Sequence, residues 1–262
     1  MTVATPLEAD SVIPAVPAIQ IRDVTKTYGD GRSRVQALAS VDLDISSGEF
    51  VCLLGASGCG KSTLLNLVAG LYRVDQGSIT TGDRHIGFVF QEPALFPWLT
   101  VAGNVEAGMR FRRVPRAERQ ARVGELLRLV HLDEFAHLRP HELSGGMQQR
   151  TSLARALAQD ADILLMDEPF GALDAMTRSV LHDELEQIWA RTGVTILFVT
   201  HDVREAIRLG DRVVLLSSRP GRVIGDSPIE LERPRRLDSP EVNALAGEVT
   251  ALLRQEVRRH AG

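Results

Sequence analysis

One stretch of nine residues, Gly55-Ala56-Ser57-Gly58-Cys59-Gly60-Lys61-Ser62-Thr63, carries residue types that bind phosphate. It matches Gly-x-x-x-x-Gly-Lys-[Ser/Thr], a pattern in which glycines let backbone N–H groups surround an anion without a clash from Cβ. Lys61 is expected to reach the β- and γ-phosphates of a nucleotide, and the hydroxyl of Ser62 to bind Mg²⁺. We call this stretch the phosphate loop, and it predicts a nucleotide-binding site.

Polar residues of catalytic type follow three apolar runs elsewhere in the chain. These residues are Gln91, Asp167, Glu168 and His201. Ligands of open α/β sheets lie beyond the carboxyl ends of the strands, so we expect these side chains to meet the phosphate loop at one sheet edge.

The chemistry of phosphoryl transfer to water suggests a role for each of them. The reaction needs a metal that spreads the γ-phosphate charge and a nucleophile that is oriented. Asp167 is expected to hold Mg²⁺, and Glu168 to act as general base for the attacking water. Gln91 could contact both Mg²⁺ and that water, and His201 could hydrogen-bond the γ-phosphate.

Each of these assignments has a plainer alternative. A glutamine after a strand is usually a surface residue, and a histidine there is more often structural. The pair Asp167 and Glu168 could be a solvated loop, although the apolar residues directly before it argue against that. Tyr28, an aromatic residue in a turn, is either a packing side chain or a platform for an adenine ring.

The elements that must position these residues are visible as hydrophobic patterns. Residues 49–54 read as a buried strand before the phosphate loop, and residues 62–70 as the helix after it. Residues 19–24 and 41–45 alternate in polarity and predict a small antiparallel sheet. Residues 75–78 read as a turn.

The rest of the chain predicts an α/β fold with a helical insertion. Helices are expected to begin at Thr100, Pro115 and Ser144, which gives a helical subdomain over about 92–158. After residue 162 strands alternate with helices, as in a parallel sheet. Residues 218–240 have no clear pattern.

The termini and the bulk composition exclude several classes. Residues 1–18 lack a basic region of the secretory kind and read as a flexible tail. Residues 236–262 read as a C-terminal helical segment with one packed apolar face, made of Leu245, Val249, Leu252 and Leu253. There is no run of about 18 apolar residues that could span a membrane. A net charge of −4 gives no general attraction to nucleic acid.

A further motif adds a family resemblance. Between the phosphate loop and Asp167 lies Leu143-Ser144-Gly145-Gly146-Met147-Gln148, here called the signature segment. With Gln91, Asp167-Glu168-Pro169, Gly171-Ala172-Leu173-Asp174 and His201 in order, the chain resembles ATP-binding-cassette (ABC) ATPases over about residues 18–218. Tyr28 is placed like the aromatic residue that stacks on adenine in that family.

The resemblance implies a fold, ligands and a second subunit. It implies a P-loop NTPase with a RecA-like core, an N-terminal antiparallel β-subdomain and an inserted α-helical subdomain, all within residues 19–235. The ligands would be ATP and Mg²⁺, with Ser62, Gln91 and Asp167 at the metal. Two cassettes, in the simplest case two copies of this chain, would pair head to tail, with Asp174 at the interface. The residues Ser144, Gly145, Gly146 and Gln148 would then face the nucleotide of the partner.

A finer resemblance points to importers of nitrate, sulfonates and taurine. It is carried by residues 91–101, 174–178 and 217–222. It implies a separate transmembrane permease, a periplasmic or extracellular solute-binding protein, and a peripheral position on the cytoplasmic face of the plasma membrane. The alternative is a soluble ABC ATPase that acts on ribosomes or DNA. A GTPase is excluded, since neither lysine of the chain lies in an Asn-Lys-x-Asp motif.

Overall fold

The computed structural model describes residues 17–260. The predicted flexible tail therefore lies almost entirely outside the described residues, as do residues 261 and 262. Ala18, which the prediction assigned to that tail, is buried, and its N–H donates to the carbonyl of Ile45. The ordered fold thus begins at least one residue earlier than predicted.

The described part of the chain contains strands and helices in the following order. They are β1 (Ile19–Tyr28), β2 (Val35–Ile45), β3 (Phe50–Gly55), α1 (Lys61–Val68), β4 (Gln76–Thr80), β5 (Ile86–Val89), α2 (Val101–Phe111), α3 (Arg116–Leu129), α4 (Gly145–Leu157), β6 (Ile163–Asp167), α5 (Ala175–Thr192), β7 (Thr195–Val199), α6 (Val203–Leu209), β8 (Arg212–Leu216), β9 (Val223–Pro228) and α7 (Pro240–His260).

The predicted antiparallel sheet is present, with one strand more than expected. Its order is β2-β1-β4, and alternate residues of β1, such as Ile19 and Ile21, are buried beneath it. The turn predicted at residues 75–78 is wrong in part, because Gln76 already pairs with Thr25 as β4 begins. β4 is an edge strand with mostly exposed residues, so it lacks the apolar alternation that marks a strand.

The second sheet provides the edge on which the site is built. Its order is β5-β6-β7-β3-β8-β9, and β5 to β8 run parallel. β3 is central and all six of its residues are buried, which explains its continuous apolar run. β9, from the region without a clear pattern, pairs antiparallel to β8 at the edge.

The helical insertion lies between β5 and β6, as predicted. Thr100 caps α2 by accepting a hydrogen bond from the N–H of Gly103, and Pro115 directly precedes α3. Buried apolar residues of all three helices, such as Val105, Leu127 and Leu153, join the core on this side of the sheet. The insertion therefore packs on the same core as the β6–β7 region.

The C-terminal helix α7 packs against α6, and three of the four residues predicted for its apolar face do pack: Val249 is buried, and Leu245 and Leu253 are partly buried against the core. Val242, Ala246 and Val249 are buried, whereas Leu252 is half exposed and does not belong to the packed face. Burial thus recurs every three or four residues, as expected for one stripe of a helix. No helix in residues 17–260 is both long and apolar enough to cross a bilayer.

Candidate active site

The phosphate loop connects the buried end of β3 to the first turn of α1. Gly58 and Gly60 both have positive φ angles, of 74° and 107°, which favour glycine. A Cβ on Gly60 would lie 2.7 Å from Cδ2 of Leu38, so glycine is also required sterically. Gly60 is the N-cap of α1, and no side chain accepts a hydrogen bond from the N–H groups of the first turn. These groups are left for an anion.

Lys61 is buried at the start of α1, and its ammonium group points back onto the loop. Its Nζ donates to the carbonyls of Gly55 and Ala56, at 2.8 Å and 3.1 Å. A buried ammonium without a carboxylate partner among its hydrogen bonds is suited to a bound phosphate, which would supply the missing negative charge.

A cavity of about 540 Å³ opens in front of the phosphate loop. Its predicted lining residues are Tyr28, Ser57, Gly58, Gly60, Lys61, Ser62, Thr63, Gln91 and Glu168. The remaining lining residues are Val35, Ala37 and Arg219, and the sequence analysis assigned none of them to the nucleotide site. Gly55, Ala56 and Cys59 belong to the loop but do not line the cavity. The Cys59 thiol is buried, and burial raises its pKa.

Asp167 lies at the end of β6, directly beside the phosphate loop. The hydroxyl of Ser62 donates to Oδ1 of Asp167 at 3.0 Å. Burial raises the pKa of Asp167, the nearby carboxylate of Glu168 raises it further, and the Ser62 hydrogen bond and Lys61 oppose the shift. Two adjacent oxygen ligands and a partly desolvated carboxylate suit a hard divalent cation.

Glu168 follows Asp167 and lies near two further predicted residues. Its Oε2 lies 2.9 Å from Nδ1 of His201. A Cβ on Gly171 would lie 3.8 Å from both Oε2 of Glu168 and Nε2 of Gln91. Gln91, Glu168 and His201 therefore form one cluster at the sheet edge.

The backbone at Glu168 departs from the ordinary strand geometry. Its φ is +43°, although its N–H still bonds the carbonyl of Val199 on β7. Positive φ at a residue other than glycine costs roughly 1–3 kcal/mol and tends to occur at functional sites. Here it turns the chain out of the sheet directly after Asp167.

Tyr28 is the last residue of β1 and not part of a turn as expected, and its surroundings are compatible with either interpretation given above. It packs edge-on against Tyr72, with ring centroids 6.1 Å apart, and Nζ of Lys26 lies 5.6 Å from its ring centroid. Tyr28 is nevertheless 38% exposed and lines the cavity. A ring that is braced at its side and open to the cavity could stack on a base.

The signature segment does not line this cavity. Ser144 caps α4 by accepting a hydrogen bond from the N–H of Met147 at 3.3 Å. Gly146 is buried, and a Cβ there would lie 2.7 Å from Cγ2 of Thr177. The side-chain amide of Gln148 donates to the carbonyls of Pro140 and Leu143, so its donors hold the preceding loop.

Asp174 caps α5 in the same way that Ser144 caps α4. Its Oδ1 accepts hydrogen bonds from the N–H groups of Met176 and Thr177, both at 3.0 Å. Hydrogen bonding from Thr177 lowers the pKa of Asp174. The carboxylate is thereby fixed at the start of a helix with exposed apolar residues, such as Met176, after it.

The protein-family comparison explains why these elements occur together. The family model described as ABC transporter matches residues 38–171, which include the phosphate loop, the signature segment and Glu168. The chain is a member of the ABC transporter family. Members of this family hydrolyse ATP, and the chain is accordingly an ABC-type ATPase.

Individual relatives and solved structures agree with this assignment. A taurine import ATP-binding protein of Rhizobium johnstonii is 48% identical over 86% of this chain and 88% of its own length. A nitrate import ATP-binding protein of Synechocystis is 42% identical over 90% of this chain and 95% of its own length.

A solved ATP-binding cassette, a dimer in a post-hydrolysis state with ADP and phosphate, is 36% identical with a TM-score of 0.72. It covers 82% of this chain and 100% of its own. This ABC ATPase thus has the predicted fold class, and its antiparallel sheet and helical insertion belong to that fold.

Proposed function

We propose that this ABC ATPase is the ATP-binding subunit of an importer that takes up a small anionic solute, such as taurine, another sulfonate or nitrate. The observation that carries the proposal is the 48% identity to a taurine import ATP-binding protein over 86% of the chain. The nitrate import relative, at 42% identity, supports the wider solute class. The alternative, a soluble ABC ATPase acting on ribosomes or DNA, has no comparable support.

In this proposal the phosphate loop binds ATP and the sheet edge hydrolyses it. Ser62 and Asp167, with Gln91 nearby, would hold Mg²⁺, whose charge offsets that of the γ-phosphate. Glu168 takes the proton from the attacking water, because its carboxylate is open to the cavity. His201 holds Glu168 through the 2.9 Å contact and would hydrogen-bond the γ-phosphate.

Two copies of the chain would complete the catalytic unit. Ser144 and the N–H groups of Gly145 and Gly146 form an anion site at the start of α4 that does not line the chain's own cavity. In a head-to-tail dimer this site would close on the γ-phosphate held by the partner. The dimer would then form when ATP binds and open after hydrolysis.

The permease would bind next to the segment that follows Gln91. Residues 93–99, here called the docking loop, carry Trp98, which is 68% exposed and packs near Phe96 with centroids 5.5 Å apart. A cavity of about 430 Å³ lies between this loop and Ala107 and Arg110 of α2. An exposed aromatic beside a cavity suits an apolar segment of a membrane partner. The complex would lie on the cytoplasmic face of the membrane and receive solute from a binding protein outside.

An uptake experiment tests the proposal. Cells that lack this chain are complemented with wild type, Trp98→Ala or Ile224→Ala, and uptake of labelled taurine, an alkanesulfonate and nitrate is measured. Ile224 is an exposed apolar residue on β9 and serves as the control. We expect wild type and Ile224→Ala to restore uptake of one of these solutes, and Trp98→Ala to lose most of it while the purified protein keeps its ATPase activity. Normal uptake of all three solutes without the chain would refute the import function.

A further inference from the structure

The cavity in front of the phosphate loop contains a basic residue to which the sequence assigned no role in nucleotide binding. Two basic residues line the cavity, Lys61 on α1 and Arg219 on the turn between β8 and β9. Lys61 is part of the phosphate loop, whereas Arg219 is distant from it in sequence. We propose that Arg219 is a further nucleotide-binding residue, which contacts the polyphosphate of the bound nucleotide from the β8–β9 turn.

The turn is held rigidly against the phosphate loop and the neighbouring sheet. The N–H of Gly221 donates to the carbonyl of Ala37 at 2.8 Å, and its carbonyl accepts from the N–H of Ala39 at 3.0 Å. A Cβ on Gly221 would lie only 2.2 Å from the carbonyl oxygen of Cys59. Only glycine allows this approach, so the turn and the phosphate loop are in direct backbone contact.

A hydrogen-bonded serine fixes the shape of the turn itself. The hydroxyl of Ser217 lies 2.9 Å from the carbonyl oxygens of both Ser218 and Pro220, either of which can accept its single proton, and it accepts from the N–H of Arg222 at 2.9 Å. The N–H of Ser217 bonds the carbonyl of Arg222 at 2.9 Å. Arg219 therefore projects from a turn whose two ends are closed on each other, and its backbone position requires no ligand.

The guanidinium group of Arg219 lies beside Gly58 of the phosphate loop. Its Nε donates to the carbonyl of Gly58 at 3.2 Å, and a Cβ on Gly58 would lie 3.0 Å from Nη2. Within residues 17–260 the two Nη groups donate no hydrogen bond to a protein acceptor. They are free to bind phosphate oxygens, for which the planar guanidinium is well suited.

The charges around the cavity favour this contact over an ion pair within the protein. Glu168 is the acidic residue that lines the cavity, and its Oε2 is already in contact with His201. Arg219 makes no salt bridge with any described acidic residue, in contrast to Arg233 and Arg212, which each pair with two carboxylates. A nucleotide polyphosphate would supply the negative charge that Arg219 lacks.

A binding experiment separates this role from a structural one. Purified wild type, Arg219→Ala, Arg219→Lys and Arg222→Ala are titrated by calorimetry with ADP, with the β,γ-imido analogue of ATP and with adenosine. Arg222 lies in the same turn, is exposed and does not line the cavity, which makes Arg222→Ala the matched control.

We expect Arg219→Ala to lower the affinities for ADP and for the ATP analogue about fivefold, which corresponds to the loss of one partly exposed charge-assisted hydrogen bond. Arg219→Lys should lose less of this affinity than Arg219→Ala, and Arg222→Ala should lose less than about twofold. The affinity for adenosine should be the same in all variants. The affinity of Arg219→Ala should also depend less steeply on salt, since one screened charge pair is gone.

Two results would overturn the proposal. One is that Arg219→Ala lowers nucleotide affinity no more than Arg222→Ala does. The other is an equal loss for adenosine and ADP, which would mean that Arg219 only supports the loop through Gly58. If Arg219→Ala lowers the melting temperature, Arg219→Lys and the salt dependence of the wild type decide between these outcomes. None of these measurements involves transport, so their result is independent of the import function.

Discussion

The phosphate loop and the signature segment each precede a helix, α1 and α4 respectively, but the N–H groups in the first turns of these helices are hydrogen-bonded differently. At α1 the N-cap is Gly60, and no side chain satisfies the N–H groups of the first turn. At α4 the N-cap is Ser144, whose own hydroxyl accepts the hydrogen bond of Met147. The first helix start lies in a large cavity with a buried lysine, whereas the second does not line that cavity.

This difference bears on when each segment would bind phosphate in the proposed mechanism. At the phosphate loop, the N–H groups of the first turn of α1 have no side-chain acceptor, and the charges of Lys61 and Asp167 are not paired with each other by a hydrogen bond. A nucleotide with its metal would therefore stabilise this region of the single chain. At the start of α4, the Ser144 hydroxyl already accepts a hydrogen bond from one N–H group of the first turn, so a bound anion would stabilise this helix start less. This contrast supports the proposal that the phosphate loop binds ATP in the single chain and that the signature segment binds it only in an assembled dimer.

The largest expected effect concerns chemistry at the phosphate-loop side. Glu168→Gln removes the proposed base and leaves Ser62, Asp167 and Lys61 in place. We expect kcat for ATP hydrolysis to fall about 10²–10⁴-fold, the usual contribution of a general base, while ATP affinity is retained. Steady-state hydrolysis and equilibrium binding measure the two quantities, and size-exclusion chromatography with ATP should show a stabilised dimer. Near wild-type turnover would remove Glu168 from this role.

The next effect compares the two helix starts directly. Lys61→Ala removes a charged donor to phosphate, which is worth about 1.5–3 kcal/mol and thus roughly 10- to 150-fold in ATP affinity. Ser144→Arg should leave ATP affinity of the single chain unchanged but abolish hydrolysis, because a bulky cation would block closure on the partner. Fluorescence titration at low protein concentration measures the affinities. If Ser144→Arg weakened monomer binding as Lys61→Ala does, the two segments would not differ as described.

The smallest effect is a shift in stability at Asp167. Its folded-state pKa is raised, so the folded protein loses stability as the pH rises from the unfolded pKa of an aspartate through the folded one. Without nucleotide, Asp167→Asn should therefore melt slightly higher than wild type at pH 7, and the difference should vanish in acid.

Adding MgATP should reverse the order, because only the carboxylate can help to hold the metal. Thermal unfolding with and without MgATP, and with MgATP replaced by ATP and a chelator, provides the measurement. A lower melting temperature of Asp167→Asn at pH 7 without nucleotide would contradict the stated effect of burial on Asp167.

Much of this site could be predicted from short stretches of sequence. The phosphate loop combines a strand, glycines and a helix start, and Asp167 follows four apolar residues, so local pattern and chemistry agree there. The expectation that Gln91, Glu168 and His201 meet at one edge followed from the parallel order of the strands. The site roles of these residues remain predictions that the mutations above test.

Other features depend on tertiary contacts that no local pattern reveals. β4 and β9 are edge strands whose residues are mostly exposed, so neither shows strong apolar alternation. Arg219 reaches the cavity because Gly221 pairs with β2, a contact across more than half of the chain. Leu252 continues the helical pattern of α7 but is 51% exposed.

The side chains of α4 also fasten it to the segment that leads into the docking loop. Gln149 donates to the carbonyl of Phe90, and Arg155 donates to those of Pro93 and Ala94. With 13 residues, α4 is about 20 Å long, and these attachments lie along its middle and far end while Ser144 stands at the near end. If the proposed permease contact and dimer form, the helix would couple them: a displacement of the docking loop would move Ser144 as well, and the closing of the dimer would move the docking loop in return.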